Sequence, residues 1–143
     1  MNEVCSDGKI GSFRADCSDI PDLVPILTVL GAFGIGDSVI YNAERLKIKE
    51  SDRLQTSAAL VNSLGGNVEI TDDGLIIHPI KNMHGGIVDS FGDHRIVMAA
   101  AIAASAVDGE VIIHGAEAAE KSYPDFFKDY TQLGGKANVI NLE

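Results

Sequence analysis

The stretch Gly36-Asp37-Ser38-Val39-Ile40-Tyr41-Asn42-Ala43-Glu44 returns later in the chain as Gly109-Glu110-Val111-Ile112-Ile113-His114-Gly115-Ala116-Glu117. Gly, Ile, Ala and Glu stand in register between the two copies. Each copy is followed by Lys and Ser (Lys49 and Ser51; Lys121 and Ser122), and each then runs on to Leu-Gly-Gly, at Leu64-Gly65-Gly66 and Leu133-Gly134-Gly135. A single spacing of about 70 residues accounts for all of these matches, with small slips, so the chain carries an internal duplication. The repeated unit decides the fold.

Outward from that stretch, the first copy predicts a strand at 9–15 and a helix at 22–33, whose start is confined by Pro21 and Pro25. A strand at 38–42 and an amphipathic helix at 51–64 follow, the latter ending at Gly65-Gly66. Residues 67–71 and 75–78 flank Asp72-Asp73-Gly74, and Asp-Gly between two β-runs predicts a hairpin. The second copy predicts a strand at 87–90, a helix at 94–106, a strand at 110–114, a helix at 124–133 and a last strand at 137–140. The order is βαβαββ and then βαβαβ, an α/β (α+β) chain whose units span 1–80 and 81–143. Leu54, Ala58, Val61 and Leu64 give the helix at 51–64 one apolar stripe. Residues 23–33 and 96–107 are instead apolar nearly all round, as in a helix buried on every side. The first helix of each unit therefore belongs at the centre, with strands and second helices outside.

The chain has 143 residues, 45% of them hydrophobic, enough to build a real core. A net charge of −10 and a pI near 4.7 argue against nucleic acid or another polyanion as partner. Local cationic clusters in so acidic a chain suit one small anion. Cys5 and Cys17 are too few for a disulfide framework and lack metal-ligand spacing, which predicts a reduced, cytoplasmic protein. Residues 1–9 are polar and give no sign of a signal peptide. The apolar run at 96–107 is too short to span a bilayer.

The charged residues gather at helix starts. In Lys49-Glu50-Ser51-Asp52-Arg53, the two cations are four apart and would project from one side of a helical first turn. Cations are unexpected there, because the helix dipole favours anions. Backbone N–H groups, the dipole and two cations together suit a phosphate or carboxylate. Glu50 lies between them and can hold or move a proton. The plain alternative is a solvated first turn with an ion pair worth under about 1 kcal/mol. Asp22 opens the first buried helix and Asp93-His94-Arg95 the second, where helix capping or contact with water would also explain them. The duplication sets these two helix mouths at equivalent points. Lys49, Glu50, Arg53 and Lys121 stand at the starts of the second helices. Cations, a histidine and carboxylates from separate stretches then converge on one edge, a constellation of catalytic type.

Four stretches together carry a resemblance: Ile20-Pro21-Asp22; Lys49 to Arg53; Gly92-Asp93-His94-Arg95 with Met98-Ala99; and Lys121-Ser122-Tyr123-Pro124 with Phe126. In that order and spacing the chain resembles the C-terminal part of the 5-enolpyruvylshikimate-3-phosphate synthases (3-phosphoshikimate 1-carboxyvinyltransferases). The resemblance implies an inside-out barrel of βαβαββ units with central helices, three units to a domain and two domains to the enzyme. This chain would hold two units of one domain. It implies transfer of the enolpyruvyl group of phosphoenolpyruvate to the 5-hydroxyl of shikimate 3-phosphate, with phosphate release and neither metal nor organic cofactor. Asp22 matches the acid that takes the hydroxyl proton, Lys49 a lysine beside that hydroxyl, and Glu50 a carboxyl that protonates the enol methylene. Arg53, Arg95 and Lys121 match the cations around phosphoenolpyruvate, and His94 a neighbour of that site. The family often has Asn at the position of Arg45, a departure that leaves Arg45 the last-ranked contact for shikimate 3-phosphate.

The sister transferase acting on UDP-N-acetylglucosamine is similar in fold and reaction but does not carry this combination of motifs. A non-catalytic module binding a small anion or a partner chain is the reading from another class. It draws support from the expectation that half of the family's substrate-binding residues lie upstream of this segment. The resemblance further predicts that the chain alone is inactive. Two units in place of three would leave one side of the central helices bare, which predicts a two-fold homodimer of the isolated chain. A fold-back of residues 1–19 across that gap is the competing expectation.

Overall fold

The computed structural model describes residues 10–140. The first half contains β1 (Arg14–Asp16), α1 (Val24–Ala32), β2 (Ser38–Tyr41), α2 (Arg53–Ser63), β3 (Asn67–Ile70) and β4 (Leu75–His78). The second contains β5 (His84–Asp89), α3 (His94–Ala104), β6 (Asp108–His114) and α4 (Phe126–Gln132). Short 3₁₀ turns at Pro21–Leu23, Glu44–Ile48 and Ala116–Lys121 lead into α1, α2 and α4. The chain is of the α/β class, as its residues implied.

The duplication is visible in backbone geometry. β1 pairs with β2 in parallel, with Arg14 opposite Val39, and β5 pairs with β6 in parallel, with Ile87 opposite Ile112. α1 and α3 make the two crossovers. Just beyond each inner strand the chain enters the left-handed region, at Asn42 (φ 57°) and at its counterpart Gly115 (φ 74°). Asparagine and glycine are the residues that tolerate this conformation best. After β1, Asp16 accepts from the Ser18 amide at 3.0 Å; after β5, Asp89 accepts from the Phe91 amide at 2.8 Å. The same turn therefore delivers the chain to both buried helices.

In the first half, β4 adds antiparallel to β2 and β3 to β4, giving a sheet of order β1-β2-β4-β3. The hairpin at Asp72-Asp73-Gly74 forms as expected, but its glycine is needed for a different reason. A Cβ on Gly74 would lie 1.8 Å from the Ile40 carbonyl oxygen, so close backbone approach, rather than a positive φ, excludes a side chain. The Asp73 carbonyl and carboxylate accept from the amides of Ala43 and Asn42, tying the hairpin to the end of β2.

Three expectations are corrected. Residues 137–140 form no strand, and Val139 and Ile140 are 86% and 70% exposed. The counterpart β3 has β4 beside it, whereas no strand among the described residues lies beside 137–140 to take up their amides and carbonyls. α4 starts at Phe126, past Pro124, because the 3₁₀ turn and residues 122–125 intervene. Nor does α2 lie outside. Leu54, Ala58, Leu60 and Val61 are buried, as are Arg53, Thr56 and Ser57, because α2 is enclosed by α1, α3, β3 and β5. α4 is peripheral and has no buried residue. The strand expected at 9–15 begins at Arg14, and residues 1–9 of the segment expected to fold back, Cys5 and Lys9 among them, lie outside the described residues.

α1 and α3 pack together at the centre, burying Val24, Leu27, Val29, Ile96, Ala99, Ala100 and Ala103 in one core. Their other flanks form a groove lined by Leu23, Ile26, Met98 and Ile102, with Leu23 43% and Ile102 41% exposed. The charged cluster lies at the mouth of that groove, where Asp22 and Arg95 also line it.

Candidate active site

Arg53 organises the cluster. As the first residue of α2 it is 1% exposed, and its guanidinium is held by three carboxylates, one just before it in the chain and two from other stretches. Nε donates to Asp93 Oδ2 at 2.9 Å and one terminal nitrogen to Asp93 Oδ1 at 3.2 Å. That same nitrogen donates to Glu50 Oε2 at 2.7 Å, and the other donates to Asp22 Oδ1 at 2.8 Å. A buried guanidinium with its planar fork filled on two sides is fixed in orientation.

Asp93 is the inner anchor. It has no exposed surface, caps α3 through the Arg95 amide at 3.0 Å, and accepts from Ser51 Oγ at 2.7 Å. Burial by itself would raise the Asp93 carboxyl. The hydrogen bonds from Arg53 and Ser51, the Arg53 charge and the Arg95 amide outweigh it and hold the group below the usual carboxylate range. For Arg53, burial opposes the charge, but Asp93, Glu50 and Asp22 raise its pKa further above its ordinary value. Both groups stay ionised at neutral pH.

The outer partners differ in kind. The Asp22 side chain, on the 3₁₀ turn before α1, is 51% exposed, and that of Glu50, in the loop before α2, is 44% exposed. Arg95 approaches Asp22 Oδ2 at 3.8 Å, so the two helix mouths meet across one ion pair. The Nδ1 of His94 and the Nε of Arg95 are buried without a hydrogen-bond partner among the described residues. Lys121, at the end of the last 3₁₀ turn, donates to the Gly92 carbonyl at 2.6 Å, beside the Asp93 cap.

Asp22, Glu50, Arg53 and Arg95 are thus brought together from the candidate residues, with His94 in the chain beside Arg95 and Lys121 held one residue from Asp93. Lys49 is not where a continuous helix would put it. It ends the 3₁₀ turn in extended backbone (φ −89°, ψ −160°), and α2 starts afresh at Arg53 behind the Asp52 cap. Lys49 and Arg53 therefore do not share a helix face. Lys49 and Arg45 are exposed and make no hydrogen bond or ion pair among the described residues. Asp93 and Ser51, by contrast, stood inside the motifs without a role. An Asp just before an apolar helix signals a cap, but nothing local signals that both its oxygens turn to an arginine 40 residues earlier.

Chemically the cluster offers two solvent-facing carboxylates on one fixed cation, with further cations beside them. Such an edge can exchange protons and receive a small anion. The same arrangement of elements occurs in solved enzymes. The chain is similar to EPSP synthase from Acinetobacter baumannii, with a TM-score of 0.85 and 28% identity over 93% of this chain and 32% of that one. It shares its fold with the enolpyruvyl transferase NikO from Streptomyces tendae, at a TM-score of 0.73 and 22% identity. These neighbours define the class as an enolpyruvyl-transferase fold. Residues 3–130 match the family of EPSP synthase (3-phosphoshikimate 1-carboxyvinyltransferase). The 3-phosphoshikimate 1-carboxyvinyltransferases of Clostridium novyi and Clostridium acetobutylicum are 51% and 50% identical over 127 residues, 89% of this chain. The chain belongs to the EPSP synthase family, and it spans about 30% of the length of the curated relatives it matches.

Proposed function

We infer that this chain forms one wall of a carboxyvinyl transferase site that joins phosphoenolpyruvate to the 5-hydroxyl of shikimate 3-phosphate and releases phosphate. The observation that carries the reading is the convergence of Asp22 and Glu50, from separate stretches, on the single guanidinium of Arg53. Forming the new C–O bond requires a base for the hydroxyl proton and an acid for the enol methylene. Asp22 takes the first part and Glu50 the second, with Lys49 beside the hydroxyl. Arg53, Arg95, Lys121 and His94 receive phosphoenolpyruvate. Lys49 and, last in rank, Arg45 face shikimate 3-phosphate. The reaction as written needs no metal or organic cofactor. Units 1–80 and 81–143 belong to one domain of a larger enzyme, whose remaining polypeptide supplies the opposite wall and excludes water. A reducing cytoplasm suits Cys17, which is buried and a free thiol among the described residues. No helix among the described residues is long and apolar enough to cross a membrane.

Phosphate release from phosphoenolpyruvate and shikimate 3-phosphate, measured for the chain alone and for the complete enzyme containing it, tests the reading. The complete enzyme should turn over and the 143-residue chain should not. Release by the pure chain would overturn the two-wall requirement; no release by the complete enzyme would overturn the activity.

A further inference from the structure

Arg53 faces the site with its charge already matched. Its inner side is committed to Asp93, which has no route to solvent. Its outer hydrogen-bond positions are taken by Glu50 at 2.7 Å and Asp22 at 2.8 Å, on side chains 44% and 51% exposed. A cation closed off in this way offers no free donor pair to an entering anion. The two outer carboxylates, unlike Asp93, can swing into solvent without unpacking the core.

We propose that Asp22 and Glu50 are built-in competitors for the anion that Arg53 is to bind. Ligand entry displaces Glu50 from the guanidinium, and a ligand carboxylate or phosphate oxygen replaces the Glu50 oxygen on Arg53. Asp93, Glu50 and Asp22 together more than match the one positive charge, so an entering anion is accommodated as an outer carboxylate leaves. The charged groups facing this exchange are Asp93 from the start of α3, Asp22 from the turn before α1, and Arg95 at 3.8 Å from Asp22. Lys49 and Asp52 flank Glu50 in the chain, and His94 stands beside Arg95. The proposal deepens the reading above and rests on it for the identity of the anion. It gives Glu50 the opposite effect on binding from that of an ordinary ligand-contacting residue.

The test is calorimetric titration of the chain with phosphoenolpyruvate, and separately with inorganic phosphate. Glu50→Gln should bind about three- to tenfold more tightly than the wild type, because a neutral amide competes less well for a guanidinium. Asp22→Asn should tighten binding in the same direction. Unchanged or weaker binding in Glu50→Gln, or no binding by either protein, overturns the proposal. Exchange with phosphate but not with phosphoenolpyruvate upholds the competition and counts against the reading of the anion, so the two failures are distinct.

Discussion

Asp93 shows how much one residue can hold, since a single carboxylate caps a helix, accepts from Ser51 and fixes Arg53. Asp93→Ala would leave a buried guanidinium short of its inner partner. It should therefore cost about 3–5 kcal/mol, read as a lower urea midpoint. Because its folded pKa lies below the unfolded one, its contribution is complete above about pH 4 and is lost as pH falls through the folded value. Acid unfolding of the wild type should therefore steepen below about pH 4, and that step should be absent in Asp93→Asn. Phe91 offers a gain. It is 55% exposed and holds a left-handed conformation (φ 51°) that a large side chain resists. Phe91→Gly should raise stability by up to about 1 kcal/mol in the same denaturation measurement; a loss would mean that its ring makes a contact worth more than the strain. The motifs singled out Asp22, Glu50, Arg53 and Arg95, which the structure brings together, but gave no role to Asp93 or Ser51 and no sign of the wiring. Arg53 looked like a ligand for an anion, whereas its donors are turned to carboxylates that the chain brings in from as far away as Asp22 and Asp93.

At the scale of elements, periodicity located α1, α2, α3 and the strands through β6, since it reports directly on burial, whereas Pro124 did not mark the start of α4 and residues 137–140 form no strand. The 3₁₀ turns escaped notice because turns so short have no period to read. They matter, because the one at Glu44–Ile48 takes Lys49 off the face of Arg53. The burial of α2 was also hidden. One apolar stripe implied one covered side, but Arg53, Thr56 and Ser57 make its polar side part of the interior. The hairpin was foreseen from Asp-Gly, and its tight seat on β2 was not. Gly74→Ala should force the hairpin off the Ile40 carbonyl and cost roughly 2 kcal/mol or more. Amide exchange should then quicken in β2 and β4 before it does in α3. The same sheet carries a titration. His78 on β4 lies 3.2 Å from Glu69 of β3 and 3.0 Å from Asp37 before β2. The hydrogen bonds to Glu69 and then Asp37 raise its pKa above the ordinary histidine value. The contribution of these contacts is complete below the unfolded pKa and is lost as pH rises through the folded one. A histidine titration followed by NMR should give His78 a higher midpoint than Glu69→Gln leaves it.

The whole molecule is a duplicated βαβ scaffold that presents the mouths of α1 and α3 on one edge, beside an apolar groove between them. Leu23, Ile26, Met98 and Ile102 line that groove. In the isolated chain, the expected outcome is concentration-dependent association, seen by light scattering at micromolar protein. Leu23→Glu should weaken it without changing the far-ultraviolet spectrum. A monomeric mass at every concentration would count against the homodimer. The central claim, that the carboxylates gathered on Arg53 carry the proton transfers of an enolpyruvyl transferase, is tested most directly by kcat of the complete enzyme bearing Glu50→Gln. Removal of the acid should lower kcat by about 10²-fold or more while substrate still binds. A wild-type kcat in that variant would contradict the assignment.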